Sequence, residues 1–132
     1  MDSTPKLYLF LSVDVINSTK MKYRPNNSDF DWISEISNFY EEFPIELNTS
    51  IDSLKAHYKL KNKDQVHIWK YSGDEILFYY PITEEKQIPE IIEAFATTLV
   101  TMAEDSKKQL EFKGTAWTGQ VPYLDIEFEK AL

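Results

Sequence analysis

A short acidic turn between two apolar runs constrains the fold of this chain more than any other feature. Gly73, Asp74 and Glu75 separate residues 66–72 from residues 76–80, and both runs are rich in aromatic and branched side chains. Runs of this length joined by a tight turn that contains glycine form a β-hairpin. The sequence therefore predicts a hairpin that carries the carboxylate of Asp74 at its tip.

A second carboxylate, Asp14, ends the apolar run of residues 7–13. A continuous apolar run of strand length is typical of a strand covered on both faces, so the first charge after it lies at the rim of the sheet. Two carboxylates about 4 Å apart repel by about 4 kcal/mol at an effective dielectric constant of about 20, and a divalent cation reverses that penalty. Asp14 and Asp74 therefore predict a site for two metal ions, Mg²⁺ or Mn²⁺, with a backbone carbonyl near Val15 or Ile16 as a further oxygen ligand.

The residues after Asp14 supply groups for a phosphate site. Asn17, Ser18 and Thr19 are short donors that favour turns and present backbone N–H groups to an anion. Lys20 adds positive charge nearby. Judged alone, the polar run also fits a simple strand end; beside the acidic hairpin, it predicts a site for a nucleoside triphosphate.

The remaining pattern predicts an α+β fold. Apolar residues from Trp32 to Tyr58 recur at steps of three or four, through two helical segments that Pro44 breaks or kinks. A later helix has the core stripe Ile88, Ile91, Ile92, Phe95, Leu99 and Met102. Residues 112–117 are predicted as a strand, 119–122 as a turn and 124–128 as an edge strand. The order β, paired α, β, β, α, β is that of a ferredoxin-like core, with helices on one face of a mainly antiparallel sheet.

Composition narrows the class of protein further. The 132 residues fit one domain, residues 1–132, and 42% of them are apolar. A net charge of −8 argues against a nucleic-acid partner, because no basic stripe is present to release counterions. No apolar run approaches the roughly 18 residues of a membrane span, and the N-terminus is neither basic nor apolar enough for a signal peptide. With no cysteine in the chain, these features predict a cytoplasmic protein that does not insert into membranes.

Two motifs resemble those of class III nucleotide cyclases. The segment Asp14-Val15-Ile16-Asn17-Ser18-Thr19 is similar to their first metal motif, and Ser72-Gly73-Asp74 is similar to their second metal hairpin. More narrowly, the chain resembles the bacterial Pycsar antiphage cyclases, which make cyclic CMP or cyclic UMP. The matching segments are Ser12-Val13-Asp14, Thr19-Lys20-Met21-Lys22, Trp32, Phe39-Tyr40-Glu41-Glu42-Phe43-Pro44, Trp69-Lys70, Gly73-Asp74-Glu75 and Gly114-Thr115-Ala116-Trp117.

The resemblance implies an activity and residue roles. It implies conversion of CTP or UTP to a 3′,5′-cyclic mononucleotide and pyrophosphate, with Asp14 and Asp74 catalytic through two bound metal ions. It implies that Lys70 contacts the base, although a lysine serves adenine, cytosine and uracil acceptors alike and is also typical of a solvated strand. It further implies a head-to-tail homodimer that uses the exposed sheet face and the region of Trp117.

One departure from the family leaves other functions open. In these cyclases the domain continues past the strand that matches Gly114-Thr115-Ala116-Trp117, into residues that stabilise the transition state, whereas this sequence stops at Leu132. The resemblance therefore implies a domain that is incomplete at its C-terminus. A non-catalytic nucleotide-binding or partner subunit is one alternative. A diguanylate-cyclase-like domain is another, because Ser72-Gly73-Asp74-Glu75 is similar to the Gly-Gly-Asp-Glu-Phe signature.

Two interpretations fit Glu75. As the first residue of a strand it fits simple exposure to solvent. Next to Asp74 it also fits support of Lys70 or of a metal-bound water.

Overall fold

Four strands and two helices follow one another along the chain as β-α-β-β-α-β. The computed structural model describes residues 5–16, 32–58, 65–106 and 110–121. The elements are β1 (Lys6–Val15), α1 (Trp32–Tyr58), β2 (His67–Ser72), β3 (Glu75–Pro81), α2 (Gln87–Asp105) and β4 (Phe112–Val121). The predicted α+β class and the predicted hairpin around Gly73 are confirmed.

The strands form one sheet in the order β2-β3-β1-β4. Each neighbouring pair is antiparallel, and β1 lies between β3 and β4. This is the ferredoxin-like arrangement that the element order predicts. Because β1 is central, the residues at its end have neighbours on both sides.

The two faces of the sheet bury different residues. Side chains alternate along a strand, and Leu9, Leu11 and Val13 of β1 belong to the main core together with the buried face of both helices. Tyr8 and Phe10 belong to a second cluster with Tyr79 of β3. Both helices therefore cover one face, as predicted, and the residues between the core positions of β1 lie on the other face.

The first helix departs from the sequence prediction. Helix α1 is continuous over 27 residues with Pro44 inside it, so the predicted break into two helices does not occur. A proline inside a helix removes one hydrogen bond and costs about 3 kcal/mol. Phe43 and Leu47 lie on either side of this proline and are fully buried. Their burial in the core offsets the local cost and keeps the helix intact.

Strand β4 also departs from the prediction. It continues to Val121, so the turn predicted from Gly119 is wrong over residues 119–121. Gly119 pairs with Tyr8, and a Cβ atom built on it would lie 3.3 Å from the ring of Phe10. The glycine thus makes room for an aromatic ring. The edge strand predicted at residues 124–128 lies outside the described residues.

Helix α2 buries most of its predicted stripe. Ile91, Phe95 and Met102 are buried, and Ile88 and Leu99 pack against the same core. Ile92 is 38% exposed, so its assignment to the core is wrong. Within the described ranges, neither helix combines the length and the apolarity needed to cross a membrane.

Candidate functional site

The structure brings the stretches that carry Asp14 and Asp74 to one rim of the sheet. Asp14 is the second-last residue of β1 and pairs directly with Glu75, the first residue of β3. Asp74 precedes Glu75 in the hairpin turn. The backbone N–H of Val15 donates to the carbonyl oxygen of Asp74 at 3.3 Å and ties the turn to the end of β1. Asp14, Asp74 and Glu75 are called the acidic rim below.

The hairpin turn depends on its glycine. Gly73 has a φ of 63°, in the left-handed region that residues with a Cβ atom adopt only at a cost. A Cβ atom at this position would meet no atom within 4 Å, so lack of space is not the reason for glycine here. The backbone conformation of a two-residue turn is the reason, and that turn places Asp74 at the rim.

Among the described residues, Asp14 lies close to two further carboxylates and one lysine. The pKa of the Asp14 carboxyl is raised above its ordinary value of 3.8, first by partial burial and then by the charges of Asp74 and Glu75. Lys113, opposite Asp14 on β4, lowers this pKa but does not cancel the rise. Raised carboxyl pKa values of this origin are typical of functional sites. The rim therefore brings three carboxylate side chains together at the end of β1.

Helix α1 reaches the same rim from the other face. The ring of Tyr40 lies 4.7 Å from the ring of Tyr71, and the pKa of the Tyr40 phenol is raised by burial and by the charges of Asp74 and Tyr71. From the sequence, Tyr40 is one member of a helical core stripe. Tyr40 lies close to the hairpin because of the direction in which α1 crosses the sheet. No local sequence pattern predicts that direction.

Glu75 has a partner that the sequence reasoning missed. The hydroxyl of Ser12 donates a hydrogen bond to Oε2 of Glu75 at 2.6 Å. Ser12 is 8% exposed and lies two residues before Asp14 on β1. Glu75 is therefore not simply exposed to solvent. The bond is set by the register of β1 against β3, which the sequence does not reveal.

Lys70 lies on the sheet face opposite the helices. It pairs with Leu77 after an irregularity in β2 between Ile68 and Lys70. Its Nζ atom lies 5.6 Å from the centroid of the Trp69 ring, which is 5.7 Å from the ring of Phe10. A cation over an indole face is attracted by the ring. The irregularity thus places an ammonium group and an aromatic ring side by side.

The predicted ligands can be compared with the needs of a divalent cation. Val15 is buried and its N–H is bound to Asp74, while Asn17, Ser18 and Thr19 lie outside the described residues. In the part of the chain that the structure describes, no group of three or more His, Cys, Asp or Glu side chains is arranged to hold a metal ion. Mg²⁺ is usually held by one or two carboxylates together with substrate phosphates. Asp14 and Asp74 fit this smaller set of ligands.

Asp14→Asn is expected to raise the free energy of unfolding at neutral pH. Because the folded state raises the pKa of this carboxyl, wild-type stability decreases as the pH rises through the folded pKa. The gain from asparagine should therefore be full near pH 7 and should vanish well below the ordinary pKa of 3.8, where the carboxyl is neutral in both states. Urea unfolding of the wild type and of Asp14→Asn, at pH 7 and at a pH well below the ordinary pKa, measures this gain in stability. A loss of stability at pH 7 would contradict the charge balance described for the rim.

Comparison with known proteins identifies the fold. No protein-family model and no curated protein matches the sequence. Among solved structures, the chain is similar to the adenylyl cyclase CyaB from P. aeruginosa, with a TM-score of 0.52 and 14% identity over 89% of this chain and 58% of that one. It is also similar to a bacterial light-regulated adenylyl cyclase, with a TM-score of 0.50 and 9% identity over 89% of this chain and 56% of that one.

At these identities the similarity establishes the fold, which is that of the two cyclase structures. The chain spans less than three fifths of the length of either one.

Proposed function

We propose that residues 1–132 form a nucleotide cyclase domain that converts a nucleoside triphosphate to a 3′,5′-cyclic mononucleotide and pyrophosphate. One observation carries the proposal: Asp14 and the Asp74 turn, far apart in sequence, meet at one rim through the Val15–Asp74 hydrogen bond. The fold that the chain shares with two adenylyl cyclases also supports the proposal of a nucleotide cyclase. The sequence motifs at these two positions add to it.

The chain's own residues have separate tasks in this reaction. Asp14 and Asp74 hold Mg²⁺ or Mn²⁺ with their carboxylate oxygens, and the backbone after Asp14, from Asn17 to Thr19, binds the phosphates. Two such ions, when bound, lower the pKa of the 3′-hydroxyl and neutralise charge on the departing pyrophosphate. The repulsion of Asp14 by the charges of Asp74 and Glu75 supports this assignment, because a bound cation relieves it.

The substrate we propose is CTP or UTP, and the cyclic product serves as a signal in antiphage defence in the cytoplasm. The support is the resemblance at Trp69-Lys70, where the structure has the ammonium of Lys70 over the indole of Trp69. We assign Lys70 to the base. An ammonium at this place would donate to O2 of cytosine or to a uracil carbonyl.

The partner we propose is a second copy of this chain in a head-to-tail homodimer. Trp117 stacks on Phe10 at 5.6 Å between ring centroids, on the face opposite the helices, and remains 40% exposed. Partly exposed tryptophan is enriched at protein interfaces. Light scattering tests the assembly, and a monomer that turns over substrate would contradict it.

A non-catalytic nucleotide-binding subunit is the second candidate. It is favoured by the low identity to the two cyclase structures, 14% and 9%, at which a shared fold does not imply a shared activity.

One experiment separates these functions. The protein is incubated with each of the four ribonucleoside triphosphates and Mn²⁺, and the products are identified by mass spectrometry. Cyclic CMP or cyclic UMP is expected. Nucleotide binding without a product would support the second candidate, and a cyclic dinucleotide would overturn both in favour of a diguanylate-cyclase-like domain.

A further inference from the structure

A short hydrogen bond lies directly beside the acidic rim. The hydroxyl of Ser12 donates to Oε2 of Glu75 at 2.6 Å. Hydrogen bonds from a hydroxyl to an ionised carboxylate fall in this range of lengths and are about twice as strong as neutral ones. Ser12 is nearly buried, so solvent competes little for its hydroxyl. The bond therefore restrains the Glu75 side chain.

The register shows where the restrained carboxylate lies. Glu75 pairs directly with Asp14, while Ser12 pairs with Leu77, the next residue of β3 on the same face. The hydrogen bond thus runs diagonally between the strands. It holds the Glu75 carboxylate toward Ser12, on the side of Asp14 that is farther from the turn.

The position of this third carboxylate matters for a cation at the rim. A cation bound by Asp14 and Asp74 would interact with the charge of Glu75, which pairs directly with Asp14. A carboxylate in a fixed place also accepts a hydrogen bond from water on the ion. Partners of this kind orient the ligand groups of metal sites and tune their affinity. A Glu75 side chain free to rotate would supply this interaction for only part of the time.

We propose that Ser12 is a positioning residue which, by fixing Glu75 beside Asp14, strengthens the binding of a divalent cation at the acidic rim. The inference rests on the proposed function, because it takes Asp14 and Asp74 as the cation's ligands. It adds to that function a residue that touches neither the ion nor the substrate.

The test measures Mn²⁺ binding without nucleotide, by electron paramagnetic resonance of free Mn²⁺. Ser12→Ala is expected to weaken Mn²⁺ binding by about 10-fold, the lower end of what partners of metal ligands contribute. Ser12→Thr keeps the hydroxyl and is expected to stay within about 2-fold of wild type. Asp14→Asn removes a proposed ligand, so the Mn²⁺ binding that this variant loses is the binding at the acidic rim.

A matched control lies on the neighbouring strand. Thr115 of β4 pairs with Ser12, also has a hydroxyl and is an exposed residue. Thr115→Ala removes that hydroxyl and should leave Mn²⁺ affinity unchanged. If Ser12→Ala does not fold by thermal melting, Glu75→Gln takes its place, because it removes the charge and should weaken Mn²⁺ binding at least as much.

The outcomes separate this inference from the proposed function. Wild-type protein that binds Mn²⁺ with an affinity unaltered by Ser12→Ala would overturn the role of Ser12 and leave the cation site standing. Wild-type protein that binds no Mn²⁺ at the rim would overturn both. In turnover assays a positioning role predicts a raised KM for Mn²⁺ and an unchanged kcat at saturating Mn²⁺, whereas a loss of kcat alone would contradict it.

Discussion

Asp74→Ala is expected to lower the rate of cyclisation at least about 100-fold, the scale on which a preorganised electrostatic group contributes to catalysis. The substitution removes one of the two carboxylates that we propose as ligands of the cations, while the backbone carbonyl that accepts the hydrogen bond from Val15 remains. The free energy of unfolding should stay unchanged or rise, because one source of repulsion at Asp14 disappears. Loss of activity without loss of stability separates a ligand from a residue that supports the fold.

The matched control for Asp74→Ala is Glu93→Ala. Glu93 is an exposed carboxylate on α2, in the helical layer, so its removal changes the net charge of the protein equally without touching the rim. Rates of cyclic nucleotide formation with Mn²⁺ and urea unfolding curves are measured for both variants. A Glu93→Ala variant as inactive as Asp74→Ala, or an Asp74→Ala variant with the wild-type rate, would contradict the assignment.

Phe43→Ala is expected to lower the free energy of unfolding by about 3–5 kcal/mol, the usual cost of truncating a buried phenylalanine. The ring of Phe43 is fully buried. It contacts rings from three other elements, at centroid distances of 5.9 Å to Phe78, 6.1 Å to Phe95 and 6.3 Å to Phe112. Its removal leaves a cavity where α1, α2 and the sheet meet.

Ile45→Ala is the control for this prediction. Ile45 lies two residues farther along α1 and is 65% exposed, so its truncation should change stability by no more than about 0.5 kcal/mol. Urea unfolding of the two variants gives the comparison. A loss below about 1 kcal/mol for Phe43→Ala would mean that α1 does not pack on the sheet as described.

The sequence predicts those parts of the fold that depend on local pattern. The run before Asp14 and the two runs around Gly73 are apolar, long enough for strands and ended by turn residues. The helical stripe that contains Phe39, Phe43 and Leu47 has the period of a helix and is buried as that period requires. These signals are sufficient for the element order and hence for the ferredoxin-like arrangement.

The features that the sequence does not predict depend on contacts between elements. Pro44 is a helix breaker by local rules, yet tertiary burial on both sides of it keeps α1 continuous. Glycine is a residue type favoured in turns, but Gly119 lies within β4, where the lack of a side chain lets the ring of Phe10 come close. The bond from Ser12 to Glu75 requires the register of β1 against β3, which no local pattern encodes.

Some residues of the candidate site can also be predicted from the sequence, and others cannot. Asp14 and Asp74 are recognisable from the sequence because each follows a strand-like run, and the structure puts both at one rim. The closeness of Tyr40 to that rim follows from the path of α1 over the sheet and has no counterpart in the sequence pattern. Charges that end strands are therefore easier to identify than the groups that surround them.

The most direct test is a crystal structure with Mn²⁺ and a non-hydrolysable analogue of CTP, in which anomalous scattering locates the ions. Mn²⁺ is expected within about 2 Å of carboxylate oxygens from both Asp14 and Asp74, with the analogue's phosphates completing the coordination. Ions bound elsewhere, with these two side chains directed away from each other, would contradict this expectation.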